Sequence, residues 1–419
     1  MIARFVYSMA WYLVTPLIKR YLKKRARRAP AYLEHWDERF SGRGPAANQG
    51  AIWIHAVSVG ETRAALPLVR ALRARWPDAP LLVTQMTPTG RAIALELYGA
   101  DAAIRYLPYD HPRHVDDFLR AWRPRFGILM ETELWPNLIH AARGLGIPLF
   151  LANARLSAKS CRAYRRAGSL IRPALAELSG VAAQGEADAD RLSSLGAEGV
   201  VVCGNTKYDF LPPADKLALG AQFRHGIGAR PVLVCASTRE GEEALILDAW
   251  RQRRQRDCLL VLVPRHPERF DVVAELAMAQ GFVLERRSRT VTPSATCEVW
   301  LGDSMGEMFA YYAAADLVFV GGSLQPLGGQ NLIEPASVGV PVLMGPSTFN
   351  FSDASARAFA AGAAKQVDSA AALVAAADAL LAEPGQRRAM SAAATAFCAA
   401  HRGASERIVD YIATRLPGA

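Results

Sequence analysis

A glutamate lies where a predicted strand gives way to a predicted helix. Residues 51–57 form a short apolar run typical of a buried strand, and a helical pattern begins at Glu61. Gly60 precedes it and allows the tight turn that this transition needs. In this position a carboxylate either stabilises the positive end of the helix dipole or meets a ligand at the carboxyl edge of a parallel sheet. The spacing alone leaves both interpretations open.

More charged side chains follow predicted strands in the same half of the chain. Glu131 and Glu133 belong to the segment 130–137, which comes at the end of an apolar run. Two carboxylates at one strand end are unusual for a loop without a function, and one of them could hold a ligand or steer a cation. Lys207 lies in the segment 204–209, which we interpret as the junction between two domains. There it either reaches into an interdomain cleft or remains a solvated lysine.

The second half carries residues suited to a phosphorylated ligand. Arg265 follows a predicted strand, and an arginine in such a place suits phosphate or carboxylate binding. A glycine-rich loop at 321–330 leads into a helix that starts at Asn331, where backbone N–H groups can bind phosphate. Glu334, three residues further on, can accept hydrogen bonds from both hydroxyls of a ribose. The alternative is that the loop has only the geometry that glycine-rich turns require.

The elements that must position these side chains alternate between strand and helix. The first half contains the run at 51–57 and further predicted strands at 81–85, 104–107, 126–131, 148–153, 180–184 and 200–203. The second half repeats the scheme, with predicted strands at 232–236, 259–263, 298–301 and 316–320. Alternation of this kind predicts mostly parallel sheets with helices on both faces. We therefore expect twin α/β domains that face one cleft.

Length, cysteine usage and charge narrow the class of protein. A chain of 419 residues is too long for one ordinary core, so two domains are expected. The 6 cysteines include no C-x-x-C pair, which argues against a zinc site or a disulfide framework and fits a reducing compartment. The net charge of +10 comes mainly from a cluster before the first acid, Glu34, formed by Arg4, Lys19, Arg20, Lys23, Lys24, Arg25, Arg27 and Arg28. A cluster confined to one end does not indicate a nucleic-acid-binding face.

The N-terminal segment combines this basic cluster with an apolar run. Residues 5–18 carry no charge and include Tyr7, Trp11 and Tyr12. The run is shorter than the roughly 20 residues of a membrane span, and its charges follow the apolar part, unlike those of a signal peptide. Aromatic residues beside lysine and arginine suit a bilayer interface. We predict a membrane anchor, spanning or monotopic, with the body of the protein in the cytoplasm; the alternative is an amphipathic helix docked on the protein.

Several familiar site motifs are absent from the sequence. There is no G-x-G-x-x-G for a dinucleotide, no G-x-x-x-x-G-K-[ST] for a nucleoside triphosphate, and no H-E-x-x-H for zinc. Asp188 and Asp190 resemble the D-x-D metal motif of one glycosyltransferase fold. They lie at the acidic start of a predicted helix, so we interpret them as helix-stabilising residues rather than metal ligands.

Six motifs together resemble one family. They are HAVSVGE at 55–61, METELWPN at 130–137, NTKYD at 205–209, PRHPER at 264–269, DSMGE at 303–307 and GGQNLIEP at 328–335. In this order they resemble the motifs of the 3-deoxy-D-manno-octulosonic acid (Kdo) transferases of lipopolysaccharide synthesis, which have the GT-B fold. The glycine-rich loop with Glu334 alone would be shared with many GT-B enzymes.

The resemblance implies a reaction and a set of site residues. Kdo would pass from CMP-Kdo to the lipid A precursor lipid IVA, with inversion and without a metal or another cofactor. It implies that Glu61 is the general base and that Glu131 and Lys207 stabilise the transition state. The residues implied to hold CMP are Pro264, Arg265, Met305, Gly306, Glu307, Asn331, Leu332, Ile333 and Glu334.

The resemblance also implies how the chain is divided and where it works. We expect an anchor with a basic collar at 1–28, an acceptor-binding domain at 29–205 and a donor-binding domain with the C-terminal helix at 206–419. The partners would be CMP-Kdo, lipid IVA and the lipids of the inner membrane, at its cytoplasmic face. Two other hypotheses are a GT-B transferase or epimerase that uses a UDP-sugar and a membrane scaffold without enzymatic activity.

Overall fold

Short apolar runs form the strands of two separate sheets in the computed structural model of the protein, which describes residues 2–42, 49–253 and 257–416. The first unit contains the described residues up to Phe210 together with those from Arg402 onward, and the second contains Leu211–His401. Each unit is built on one seven-stranded sheet in which neighbouring strands are parallel. The predicted pair of parallel-sheet α/β domains is therefore confirmed.

The sheet of the first unit has the strand order β3-β2-β1-β4-β5-β6-β7. Its strands are β1 (Ile52–His55), β2 (Leu81–Gln85), β3 (Ala102–Tyr106), β4 (Phe126–Met130), β5 (Leu149–Ala154), β6 (Gly180–Ala183) and β7 (Val200–Val202). Because β1 pairs with β2 on one side and β4 on the other, the loops after β1 and β4 leave toward opposite faces. A crevice at the carboxyl ends of two such strands is where open α/β sheets bind ligands.

Helices cover both faces of this first sheet. The α-helices described in this unit before β7 are α1 (Ile2–Ala26), α2 (Trp36–Ser41), α3 (Val59–Ala64), α4 (Leu66–Arg75), α5 (Pro88–Tyr98), α6 (Pro112–Trp122), α7 (Pro136–Gly144), α8 (Ala158–Arg166), α9 (Gly168–Ala176) and α10 (Glu186–Ser194). Successive residues of β1 point into different cores: Trp53 packs in one, and Ile52 and Ile54 in the other. Strands buried on both faces explain the continuous apolar runs in the sequence.

The second unit repeats the plan with the strand order β10-β11-β9-β8-β12-β13-β14. Its strands are β8 (Val232–Thr238), β9 (Leu259–Pro264), β10 (Leu284–Arg286), β11 (Val299–Leu301), β12 (Leu317–Val320), β13 (Val342–Met344) and β14 (Ala364–Gln366). Its helices are α11 (Ala214–Ile227), α12 (Glu242–Arg251), α13 (Phe270–Ala279), α14 (Met308–Ala314), α15 (Ile333–Ser337), α16 (Ser352–Ala360), α17 (Ala370–Ala382) and α18 (Pro384–His401). Here the order reverses between β8 and β12, which pair directly.

The last helix departs from the predicted domain boundary. α19 (Ala404–Arg415) returns to the first unit, where Ile408, Val409 and Ile412 are buried in the same core as Phe150 of β5. The prediction assigned residues 206–419, with this helix, to the second domain. In the structure, the first unit extends to Phe210, and the chain from Arg402 onward also belongs to it. The apolar face of α19 needs a partner, and the partner is the first sheet.

The N-terminal segment forms the long helix α1, which docks on the first unit. Tyr7 donates a hydrogen bond to Asp110 at 2.9 Å and Ser8 donates one to Asn137 at 2.7 Å. Further along, Leu22 packs with Phe40 of α2. Within the described ranges, α1 included, no helix combines the length and apolar character needed to cross a bilayer. The spanning form of the predicted anchor is therefore not supported. The contacts show α1 docked on the first unit, and a monotopic anchor stays a prediction.

Candidate active site

Glu61 closes the turn between β1 and α3. Ser58 is the N-cap of α3, and the carboxylate of Glu61 accepts hydrogen bonds from the Val57 N–H at 2.8 Å and the Ser58 hydroxyl at 3.1 Å. The capping interpretation of Glu61 thus has a structural basis. Each carboxylate oxygen takes one of these bonds, and each retains a second lone pair. Capping and proton transfer are therefore compatible at this residue.

The environment of Glu61 raises its pKa to about 7. Burial is the main cause because it penalises the charged form, and the hydrogen bond from Val57 opposes it. The negative charges of Glu131 and Glu133 raise the pKa further, which places both carboxylates near Glu61. A carboxylate with a pKa near neutrality is suited to general-base chemistry at physiological pH.

Glu131 lies directly after β4, the strand beside β1. Its carboxylate forms a salt bridge of 3.4 Å with the Lys207 ammonium, and each side chain is 22% exposed. Glu131 has a φ of 56°, a left-handed conformation that is uncommon outside glycine. Backbone strain of this kind is often found at functional sites, where the surroundings hold the residue in place. Three residues proposed from the sequence as catalytic, Glu61, Glu131 and Lys207, therefore lie at one edge of one sheet.

Lys207 is positioned by two asparagines to which the sequence analysis gave no role. It lies in a 3₁₀ turn, Thr206–Asp209, after β7. The side-chain oxygen of the fully buried Asn153 accepts a hydrogen bond from the Thr206 N–H at 3.1 Å, and that of Asn205 accepts one from the Lys207 N–H at 3.0 Å. Asn153 has a φ of 52°, and the pairing of β5 with β6 shifts register next to it. This irregularity places the side chain that holds the turn.

Glu133 adds a third carboxylate to this edge. It accepts a hydrogen bond from the indole N–H of Trp135 at 2.7 Å. Burial raises the pKa of Glu133, the Trp135 bond opposes the rise, and Glu131 adds to it. Three carboxylates beside one lysine make an acidic site that can accept protons. In the parts of the chain that the structure describes, no group of three or more histidine, cysteine or acidic side chains could hold a metal ion.

In the second unit, Arg265 and Glu334 lie near one buried phenol. Arg265 follows Pro264 at the end of β9, and its side chain is exposed. Burial raises the pKa of Tyr312 well above its usual value, Glu334 adds to the rise and Arg265 opposes it. The structure thus brings one cation and one carboxylate to the carboxyl edge of the second sheet. These are the charges that the phosphate and the ribose of a nucleotide would need.

In the segment from Asn331 to Glu334, the two apolar side chains are buried, so the groups left to bind a ligand are the backbone and two polar side chains. Leu332 and Ile333 are buried, whereas Asn331 donates a hydrogen bond to Glu334 at 3.1 Å and accepts one from the Ile333 N–H at 3.0 Å. The expected helix is short, since α15 covers only Ile333–Ser337. Asn331 and Glu334 form one hydrogen-bonded pair at its start.

The other predicted donor residues follow β11. Glu307 precedes α14 as its N-cap, and its carboxylate accepts hydrogen bonds from the Ser304 hydroxyl at 2.6 Å and from Arg287 at 3.0 Å. Met305 is 65% exposed and Gly306 has a φ of 77°. The nine residues predicted to bind the donor nucleotide thus all lie at or after the carboxyl ends of strands in the second sheet. Since these strands are parallel, those ends share one edge.

The sequence of the whole chain is similar to those of known transferases. Residues 34–210 match the family model described as "3-Deoxy-D-manno-octulosonic-acid transferase (kdotransferase)". The 3-deoxy-D-manno-octulosonic acid transferase of Bordetella pertussis is 45% identical, over 97% of this chain and 98% of that protein. The enzyme of the same name from Haemophilus influenzae is 37% identical, over 98% of each chain.

Solved structures of low sequence identity share the fold. A glycosyltransferase from Rickettsia africae superposes with a TM-score of 0.62 at 13% identity, covering 89% of this chain and all (100%) of that one. The UDP-GlcNAc 2-epimerase of Neisseria meningitidis gives a TM-score of 0.61 at 15% identity, covering 87% of this chain and 100% of that one. At this level of identity the likeness concerns the architecture alone. The identity of 45% with a curated transferase over nearly the full length is the stronger finding, and it shows that the chain belongs to the 3-deoxy-D-manno-octulosonic acid (Kdo) transferase family.

Proposed function

We propose that this enzyme transfers Kdo from CMP-Kdo to the lipid A precursor lipid IVA, with Glu61 as the general base. Membership of the Kdo transferase family supports Kdo transfer in lipopolysaccharide biosynthesis. The observation that carries the catalytic assignment is the position of Glu61. It is a carboxylate with a pKa of about 7, beside the Glu131–Lys207 pair and at the point where the strand order of the first sheet reverses.

The proposed step is a single displacement. An acceptor hydroxyl attacks the anomeric carbon of Kdo, its proton passes to Glu61, and the bond between that carbon and the CMP phosphate oxygen breaks with its electron pair on the phosphate. Attack from the face opposite the leaving group inverts the configuration. The step needs no oxidant, and CMP leaves as a monophosphate.

The remaining proposed roles follow from charge. Lys207 forms a salt bridge with Glu131, so we assign this pair to the stabilisation of the transition state. In the second unit, Arg265 is assigned to the phosphate of CMP, and Asn331 and Glu334 to its ribose. Pro264, Met305, Gly306, Glu307, Leu332 and Ile333 complete the proposed CMP site. Cations and hydrogen-bond donors can stabilise the departing phosphate, and the proposed mechanism uses no metal or other cofactor.

The surface of α1 supports a site of action at a membrane surface. Its exposed face is apolar at Ile2, Phe5, Leu13 and Leu17, with exposed fractions of 82%, 63%, 77% and 65%. The same helix ends in a basic segment with Lys23, Lys24 and Arg25 in its last turn. An apolar face beside basic residues suits a helix lying in the interface of an anionic bilayer. We propose that the enzyme binds in this way to the cytoplasmic face of the inner membrane, where its acylated acceptor resides.

The substitution Glu61→Gln tests the proposed function. It keeps the size of the side chain and removes the base, so we expect transfer to lipid IVA to fall by about 10²–10⁴-fold. The measurement is the formation of Kdo-bearing product by mass spectrometry with CMP-Kdo as donor and UDP-sugars as comparison donors. CMP binding should remain close to that of the wild type, and the variant should remain folded.

A matched control is Glu186→Gln. Glu186 is an exposed carboxylate in the first turn of α10 in the same unit, so its loss alters a helix terminus without touching the site. This variant should retain full activity. Near-normal turnover of Glu61→Gln would leave Glu61 with only its capping role, and preference of the wild-type enzyme for a UDP-sugar would contradict the assigned donor.

A further inference from the structure

Glu242 is a fully buried carboxylate in the second unit that binds four backbone N–H groups. One oxygen accepts hydrogen bonds from Arg239 at 2.9 Å and Gly322 at 2.6 Å. The other accepts them from Ser323 at 3.0 Å and Leu324 at 2.9 Å. The side chain is 0% exposed, so all four bonds form in a site that excludes bulk water. Hydrogen bonds to a charged group in such surroundings are among the stronger ones in proteins.

These bonds join two loops at the point where the strand order of the second sheet reverses. Arg239 belongs to the turn after β8, whereas Gly322, Ser323 and Leu324 open the glycine-rich loop after β12. β8 and β12 are paired neighbours, and β8 leads into α12, which begins at Glu242 itself. The carboxylate therefore fixes the start of the glycine-rich loop to the neighbouring strand end.

The fixed start of the loop in turn fixes its end. The Gly329 N–H donates a hydrogen bond to the Gly322 carbonyl at 2.7 Å, and the Gln330 N–H donates one to the Gly321 carbonyl at 3.0 Å. Gln330 directly precedes Asn331, the first residue of the proposed ribose-binding segment. A continuous set of hydrogen bonds thus runs from Glu242, through both ends of the loop, to Gln330, whose peptide bond leads into the segment that contains Asn331 and Glu334.

We propose that Glu242 is a positioning residue for the nucleotide of the donor. Glu242 holds the glycine-rich loop in the one conformation that aligns Asn331 and Glu334. This proposal rests on the assignment of the Asn331–Glu334 segment to CMP binding in the proposed function. The backbone N–H groups of Gly322, Ser323 and Leu324 are occupied by Glu242, so they serve the shape of the loop rather than contact with the phosphate.

The chemistry of the four bonds requires a carboxylate. Each oxygen of Glu242 accepts two N–H groups, which only an acceptor with four available lone-pair sites can satisfy. In Glu242→Gln one oxygen becomes an NH₂ group that faces two N–H donors. Two buried backbone donors then lose their acceptor, which frees one end of the loop.

Hydrogen exchange and CMP titration of Glu242→Gln test the proposal. We expect the amides of Gly322, Ser323 and Leu324 to exchange about tenfold faster or more, and the affinity for CMP to fall by about tenfold or more. In turnover, KM for CMP-Kdo should rise by a larger factor than kcat falls. Glu242→Asp keeps the charge with a shorter reach and should recover part of the lost affinity.

The matched control is Asp316→Asn. Asp316 precedes β12 and accepts a hydrogen bond from the Val232 N–H at 2.9 Å, so it joins the amino ends of the same two strands. It also pairs with Arg224 at 3.0 Å. Its loss should lower the thermal unfolding temperature of the second unit while the CMP affinity and the exchange of the loop amides remain unchanged.

The outcomes separate this proposal from the proposed function. Unchanged CMP affinity in a folded Glu242→Gln, when the wild type binds CMP, would overturn the positioning role and leave the function intact. Failure of both Glu242 variants to fold would also overturn it, because the residue would then serve stability alone. If the wild type does not bind CMP at all, the donor assignment itself is wrong, and the role of Glu242 in donor binding is rejected with it.

Discussion

At the scale of single residues, Glu61 combines the closing of a turn with a pKa near neutrality. The bonds from Val57 and Ser58 favour its ionised form, and burial opposes ionisation more strongly, so the pKa rises from 4.5 to about 7. The neighbouring charges of Glu131 and Glu133 act in the same direction as burial. A base that can hold the acceptor proton and release it later needs this balance.

The raised pKa of Glu61 predicts the pH dependence of the reaction. Below about pH 7 the carboxyl is protonated and cannot accept the proton of the acceptor, so the rate at low substrate should increase with pH and level off above about pH 7. A pH–rate profile of kcat/KM for the acceptor measures this. A rate that does not change between pH 5.5 and 8 (about one to two units on either side of a pKa near 7) would contradict the role of Glu61 as base.

The same shift has a consequence for stability. A carboxyl whose pKa is higher in the folded than in the unfolded state binds its proton more tightly when folded, so protonation favours folding. The contribution of Glu61 is therefore complete below pH 4.5 and is lost as the pH rises to about 7. Glu61→Gln should remove this part of the pH dependence, which thermal unfolding of both proteins between these pH values would reveal.

The functional role of some single residues can be predicted from the sequence, and that of others cannot. Glu61 and Glu131 follow apolar runs, and the rule that ligands bind at the carboxyl ends of parallel strands is local enough to select both. Asn153 binds Thr206, which lies 53 residues further along the chain. Glu242 binds Gly322, which lies 80 residues further along. Only the folded chain shows that these polar side chains are buried and what they bind.

At the scale of elements, the turn Thr206–Asp209 connects the proposed site to the C-terminal helix. Asp209 accepts hydrogen bonds from the backbone N–H groups of Gly403 and Ser405, both at 2.6 Å, and from that of Ala404 at 3.3 Å. These are N–H groups at the start of α19 that have no partner within the helix. One short turn therefore carries Lys207 at its beginning and stabilises α19 with its end.

Asp209→Ala should weaken both ends of this turn. The loss of a helix cap costs about 0.5–2 kcal/mol in the free energy of unfolding. Because the turn also holds Lys207, we expect transferase activity to fall as well. Asp209→Asn is the matched control, since an asparagine oxygen can still cap the helix. Chemical denaturation measures the loss of stability, and product formation measures the loss of activity. Full activity in a destabilised Asp209→Ala would show that the turn does not position Lys207.

The elements that sequence patterns missed are short or depend on distant partners. β10 and β14 each have three residues, and their half-exposed sequences around Glu285 and Lys365 lack the apolar run that marks the central strands. The helical pattern that starts near Glu61 divides into α3 and α4, with Pro67 in the first turn of α4. The sequence of α19 predicts an apolar face, but it does not show against which of the two similar sheets that face packs.

At the scale of the whole molecule, each unit gathers its proposed functional residues at one edge of its sheet. The first unit has Glu61, Glu131 and Lys207 there, and the second has Arg265 and Glu334. Six of the eight basic residues in the N-terminal cluster lie on another element, α1. The proposed chemistry and the proposed membrane contact therefore depend on different residues.

The exposed face of α1 provides the test of membrane binding. Phe5, Leu13 and Leu17 point away from the contacts that dock α1, so replacing all three with serine should leave Tyr7 and Ser8 in place. Burying one such apolar side chain contributes about 1.5–3 kcal/mol, so we expect the triple variant to lose most of its binding to vesicles of zwitterionic and anionic phospholipid. Cosedimentation with the vesicles at low and high salt measures this binding.

The matched control replaces exposed apolar residues elsewhere on the chain. Leu95, Val272 and Met278 are exposed by 51%, 54% and 55%, so their replacement by serine removes a similar kind of surface from other helices. This control should bind vesicles like the wild type. The α1 variant should still transfer Kdo to an acceptor dispersed in detergent, because the proposed site is untouched. Undiminished sedimentation of the α1 variant would mean that this helix does not hold the enzyme on the membrane.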